Sequence, residues 1–129
     1  MANVKLQQII EKMKLENVTP ELDISKIKIT QPDINRPALQ LAGYFEHFEA
    51  IRIQIIGFVE YSYMKAMPQE RQQEIYRKFL SFDIPAIVFC RDLEPDDLFK
   101  QIAMENEIPL LKTQKATSAF TAEIIKWLN

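Results

Sequence analysis

The chain has 129 residues, 47% of them hydrophobic, which is enough to bury a core and leads us to expect one globular domain over residues 1–129. A formal net charge of -2, with acids and bases interspersed and no basic stripe, argues against a nucleic-acid partner. The single cysteine excludes an internal disulfide, and no N-terminal apolar run reads as a signal peptide or membrane span, so a cytoplasmic protein without membrane contact is expected.

Val4, Leu6, Ile9, Ile10 and Met13 recur at near-helical spacing, with Lys5, Gln8 and Glu11 opposite, and predict a first helix from Val4 to Lys14. Turn residues from Asn17 to Leu22 follow, and Ile24, Ile27 and Ile29 suggest short extended segments leading into Thr30-Gln31-Pro32. Pro37 fixes its own φ and pushes Arg36 into an extended conformation, so Asn35-Arg36 should form an ordered kink with the guanidinium pointing away from the chain. Pro37 also suits the start of a short helix, Ala38 to Ala42, which Gly43 can close in the left-handed conformation. Ile51, Ile53 and Ile55 then alternate with Arg52 and Gln54 as a strand, until Ile56 breaks the pattern and Gly57 permits a sharp turn or a close approach.

Phe58 to Met67 has Val59, Tyr63, Met64 and Met67 on one face, and Pro68 opens another helix with Ile75, Tyr76, Phe79 and Leu80 apolar. The continuous apolar run Ile84 to Cys90 reads as a strand covered on both faces, the centre of a parallel sheet. Pro95 starts a helix with Leu98, Phe99, Ile102 and Ala103 inward, ending near Asn106. Ile108-Pro109-Leu110-Leu111 then repeats the proline-entered strand. Thr117 or Ser118 should cap a last helix whose Ile124, Ile125, Trp127 and Leu128 offer apolar surface to a partner. The whole reads as an α/β fold, a mostly parallel sheet flanked by helices in three layers.

Two isolated glycines cannot form a phosphate-cradling loop, so this segment is not expected to be an enzyme. His47 and Cys90 are the only histidine base and thiol nucleophile, and their ordinary readings are a loop residue and a small buried hydrophobe. Glu94, Asp96 and Asp97 could suggest a divalent-cation site, but carboxylates are also favoured at a helix start, and no metal is expected. Ligands of open α/β sheets bind beyond the carboxyl ends of the strands. There stand Glu60, Cys90, Arg91 and Thr113 to Ser118, so Glu60, Arg91, Thr117 and Ser118 join Asn35 and Arg36 as candidate ligand or interface residues. Arg36 can serve a carboxylate or phosphate partner, or else an internal salt bridge to Asp33, Glu46 or Glu49.

The ordered combination Asp33-Ile34-Asn35-Arg36-Pro37, Leu39 to Phe45, Arg52 to Gly57, Glu60, Pro85 to Val88, Arg91, Leu93, Pro95, Pro109-Leu110 and Thr117 resembles the N-terminal domain of the bacterial HPr kinase/phosphorylase family. At fold level the layout also resembles the N-terminal domain of the Mur ligases. The first resemblance implies a hexameric parent that phosphorylates and dephosphorylates a serine of the phosphocarrier HPr in carbon catabolite regulation of the phosphotransferase system. ATP and Mg would belong to its absent catalytic domain, leaving this segment no cofactor and a role in assembly or regulation. Its partners would be copies of itself or the missing kinase domain. Cys90 and Asp92 depart from the threonine and glycine that the resemblance leads one to expect. A free-standing module that senses a small anionic metabolite or nucleotide at the strand ends, through Arg91 and the Thr117 helix start, is the alternative.

Overall fold

Short strands alternate with helices through residues 3–129, which the computed structural model describes. In chain order they are β1 (Val4–Lys5), α1 (Leu6–Met13), β2 (Glu16–Asn17), β3 (Lys28–Ile29), β4 (Ile34–Asn35), α2 (Ala38–Leu41) and β5 (Ile53–Ile56). Then follow α3 (Phe58–Ala66), α4 (Gln69–Phe79), β6 (Ile87–Phe89), α5 (Asp97–Glu105), β7 (Leu110–Lys112) and α6 (Thr117–Leu128).

Five strands pair in the order β2-β7-β6-β5-β4, all parallel except the edge strand β2. The apolar run that the sequence marks as central is indeed the middle strand, β6, with Ile56 beside Phe89 and Phe89 beside Lys112. Strand periodicity sends alternate side chains to opposite faces. Ile53, Ile55, Val88 and Leu111 pack with Leu6, Ile9 and Met13 of α1 and Phe120, Ile124 and Leu128 of α6. Ile56, Ile87, Phe89 and Leu110 pack with Met64, Ile75, Tyr76, Phe79, Phe99 and Ile102 of α3, α4 and α5. The fold is therefore the expected three-layer α/β sandwich. Each fully covered Phe or Ile contributes roughly 1.5–3 kcal/mol against the exposed state, so the two clusters together dominate the stability.

Several local expectations are corrected. Val4 and Lys5 are not helical; they pair with Ile29 and Lys28 in a small antiparallel ribbon, and the Gln8 side chain accepts from the Lys5 N–H where α1 begins. Gln54 alternates with the isoleucines yet is fully buried, because its amide donates to the carbonyls of Glu49 and Arg52 and accepts from Asn35. On α3 the inward line is Glu60, Met64 and Met67, at i, i+4 and i+7, leaving Val59 and Tyr63 exposed. An apolar count could not include the acid on that line. Thr117 and Ser118 do not cap α6: the N-cap is Ala116, and Thr117 is its first residue. Ile124 and Leu128 are buried, with Ile125 and Trp127 partly buried on the same core, so the last helix spends its apolar face inside the domain. Among the described residues the large exposed apolar side chains are instead Leu39, Tyr44, Ile51, Phe58, Val59 and Tyr63.

Candidate functional site at the strand ends

Pro37 holds the chain so that Arg36, just beyond β4, reaches the first turn of α3. Its Nε and Nη2 donate to Oε2 and Oε1 of Glu60 at 2.8 and 2.7 Å, a bidentate pair. Glu60 Oε1 also accepts the Gly57 N–H at 2.8 Å, so the carboxylate, 3% exposed, caps the start of α3 while it binds Arg36. Arg36 itself remains 40% exposed. Its guanidinium is not directed away from the chain, and its partner is none of the three acids expected from the sequence. Asp33 and Glu49 pair with Arg52, and Glu46 stands near His47.

Gly57 is extended, with φ -103°, so it is needed for closeness and not for a turn. A Cβ there would stand 2.6 Å from Thr117 Oγ1 and 2.8 Å from Arg36 Nη2. Through this contact the start of α6 leans on the end of β5. Thr117 is 6% exposed, and its buried hydroxyl has no nitrogen or oxygen partner among the described residues. Cys90, fully buried, belongs to the same locality, and burial pushes its thiol up to about 11. The adjacent Thr117 hydroxyl and the charges of Arg36 and Arg91 act the other way.

Beyond β6, Arg91 and Asp92 both have positive φ, 57° and 56°, a strained pair for residues with a Cβ. Their N–H groups donate to the carbonyls of Lys115 and Thr113 at 2.9 and 2.8 Å, which ties this turn to the loop before α6. Lys112, 8% exposed, reaches Glu94 at 2.7 Å and Asp92 at 3.2 Å; the Glu94 carboxylate holds its ammonium above the ordinary range. The backbone glycine expected after Arg91 is thus replaced by an aspartate held by lysine.

Of the six candidate residues, Arg36, Glu60 and Thr117 meet around Gly57, and Arg91 stands on the adjoining turn. Asn35 faces inward instead, donating to Gln54 Oε1 at 2.7 Å and to Gln40 Oε1 at 3.3 Å. Ser118 is exposed on the first turn of α6. Sequence reasoning missed Gln54 and Lys112, buried polar residues whose partners lie far along the chain. It missed the exposed Leu39, Phe58 and Val59 too, on α2 and the first turn of α3; their want of an inward register was the available signal.

Asp96 caps α5 by accepting the Phe99 N–H at 2.8 Å, and Glu94 is engaged by Lys112, so this acidic group is structural. Among the described residues no three His, Cys, Asp or Glu side chains could hold a metal ion together, and no helix is long and apolar enough to cross a membrane. His47 is an exposed loop residue at φ 62°, with no bond to Cys90. A cleft of about 500 Å³ opens near the end of β7, lined by Lys12, Lys14, Lys112 and Lys115 but also by Glu16, Asp92 and Glu123.

A family model described as the HPr serine kinase N terminus matches residues 4–128. An HPr kinase/phosphorylase of Lachnoclostridium phytofermentans is 52% identical over 129 residues, the whole of this chain and 42% of that protein. One from Clostridium acetobutylicum is 36% identical over 126 residues, covering 98% of this chain and 41% of the relative. The chain thus spans about two-fifths of the length of the curated relatives it matches. Among solved structures, the CBS and DRTGG domains of the regulatory region of Clostridium perfringens pyrophosphatase, complexed with diadenosine tetraphosphate, align with a TM-score of 0.64. That alignment covers 97% of this chain and 47% of the other at 14% identity, a likeness of fold.

Proposed function

The chain belongs to the HPr serine kinase N-terminus family, and from that premise we propose that it is the non-catalytic regulatory or assembly domain of an HPr kinase/phosphorylase. The observation that carries this reading is the match over residues 4–128, together with relatives of that name of which the chain makes up about two-fifths. In this reading the intact protein phosphorylates and dephosphorylates a serine of HPr in the cytoplasm, in the service of carbon catabolite regulation. ATP and Mg act in the catalytic remainder, and copies of the chain assemble with one another.

The contact surface in this reading is the face where Leu39, Phe58, Val59 and Tyr63 are exposed on α2 and α3. Exposed apolar groups on the two contacting helices α2 and α3, with the half-exposed Arg36 held at the start of α3, have the composition of an interface core. The sequence supports the non-catalytic role, since neither Gly43 nor Gly57 belongs to a phosphate loop. The test is an assay of HPr phosphorylation and ATP hydrolysis with the purified chain. No turnover above the buffer control is expected. Turnover that survives rigorous purification and disappears when this chain is mutated would overturn the reading.

A further inference from the structure

α1 and α6 pack on the sheet face opposite α3 and α4, and a groove opens beside them. One part of it is the cleft of about 500 Å³ near the end of β7, and the other is a cleft of about 320 Å³ that reaches Trp127. Lys12, Met13 and Glu123 line both parts, so the two are continuous. Met13, 3% exposed, closes the floor, while Trp127 packs on the core with part of its ring and presents the rest to the groove. The charges along the rim are unequally matched. Asp92 is held by Lys112 and Glu123 by Lys115, so these groups answer one another within the chain. Among the described residues Lys12, Lys14 and Lys126 have no carboxylate partner, and of the groove's acids only Glu16 is free. A chain of net charge -2 thus keeps a local excess of positive charge around an apolar floor.

Lys14 supplies an independent observation. It holds φ 54° where α1 ends, its N–H donating to the Ile10 carbonyl. Glycine is the usual occupant of such a position, because a Cβ is disfavoured in left-handed backbone. A lysine kept there against that preference adds an ammonium to the rim of the groove. We propose that the groove binds an extended acidic segment of a partner protein. The segment's carboxylates pair with Lys12, Lys14 and Lys126, and one of its apolar side chains lies against Trp127. Rim charges of this kind draw in a complementary chain and fix its register, and the buried contact to an aromatic ring anchors it. A nucleic acid fits less well, since Glu16, Asp92 and Glu123 would face its phosphates. Leu39, Phe58 and Val59 belong to helices on the other face of the sheet, so this surface is separate from the α2–α3 contact and does not depend on it.

Trp127 is the chain's single tryptophan, so its emission reports on the groove directly. The test is a fluorescence titration of the chain at low ionic strength with a synthetic peptide of four glutamates flanking one leucine, beside a counterpart with glutamine in place of each glutamate. A saturable shift of Trp127 emission is expected with the acidic peptide, and binding about tenfold weaker or less with the neutral one. Lys12→Gln with Lys126→Gln, both exposed, should leave the fold intact and weaken binding of the acidic peptide about tenfold. Lys65→Gln, on α3 and outside the groove, should leave it unchanged. No saturable shift, equal affinity for the neutral peptide, binding indifferent to Lys12→Gln with Lys126→Gln, or an equal loss with Lys65→Gln would each overturn the proposal. So would tighter binding, at equal charge, of a single-stranded oligonucleotide or of anionic phospholipid vesicles, which would assign the groove to a different class of partner.

Discussion

Truncating Arg36 would leave the Glu60 carboxylate, 3% exposed, with only the Gly57 N–H for company. A buried charge that loses one partner costs several kcal/mol, but water can reach this carboxylate once the half-exposed arginine is gone. Arg36→Ala should therefore cost about 1–3 kcal/mol in denaturant unfolding. A loss below a few tenths would show the pair to be structurally idle. Gly57→Ala should cost a similar amount, roughly 1–3 kcal/mol, because the new methyl overlaps Thr117 and Arg36. Cys90 makes stability depend on pH. Its folded pKa is raised above the ordinary value of 9.0 to about 11, so the protonated thiol is favoured by folding. That contribution is complete below pH 9 and is lost as pH rises towards 11. Cys90→Ala should flatten the fall in melting temperature across this window, and an unchanged slope would assign it to other groups. At this scale the sequence revealed Arg36 as preset by Pro37, but not its partner. Glu60 lies 24 residues further on, and only the parallel pairing of β4 with β5 brings the two together.

Helix starts decide much of the behaviour of single elements here. Ala116→Asp supplies the cap that α6 lacks and should stabilise the chain by about 0.5–2 kcal/mol, read from the unfolding midpoint. A destabilised variant would mean that those N–H groups are already satisfied. The turn after β6 is a second lever. Asp92→Gly relieves one of two consecutive left-handed residues and loses only an exposed contact to Lys112, which Glu94 keeps. Aspartate tolerates this geometry comparatively well, so a gain of about 0.5–1 kcal/mol is expected. Elements whose apolar pattern matches their burial, such as the one-sided α4 and the two-sided β6, were legible in the sequence because burial alone places them. The inward face of α3 was not, since a capping acid occupies one of its positions. Nor was the ribbon of β1 and β3, whose two-residue strands are too short to show a period.

Across the whole molecule, the order of strands and helices and the two-sided apolar run at β6 specify a three-layer parallel sandwich, and the chain adopts it. Interfaces are harder to read, because an exposed apolar residue and a buried one look alike until the register is known. Trp127 and Ile125 illustrate one direction of that ambiguity, Phe58 and Val59 the other. If the α2–α3 face mediates assembly, Phe58→Ser with Val59→Ser should change the unfolding free energy by no more than about 0.5 kcal/mol. It should also lower the mass of the full-length oligomer in analytical ultracentrifugation; an unchanged mass would move the interface elsewhere. The most direct measurement replaces the first 42% of the 52%-identical HPr kinase/phosphorylase with this chain and compares three proteins: the chimera, that enzyme without its N-terminal segment, and the chain alone. The chimera is expected to match the natural enzyme in mass and in regulated phosphorylation of HPr, the truncated enzyme to lose one or both, and the chain alone to show no turnover. Turnover by the chain alone, or a chimera indistinguishable in assembly and regulation from the truncated enzyme, would contradict the assignment.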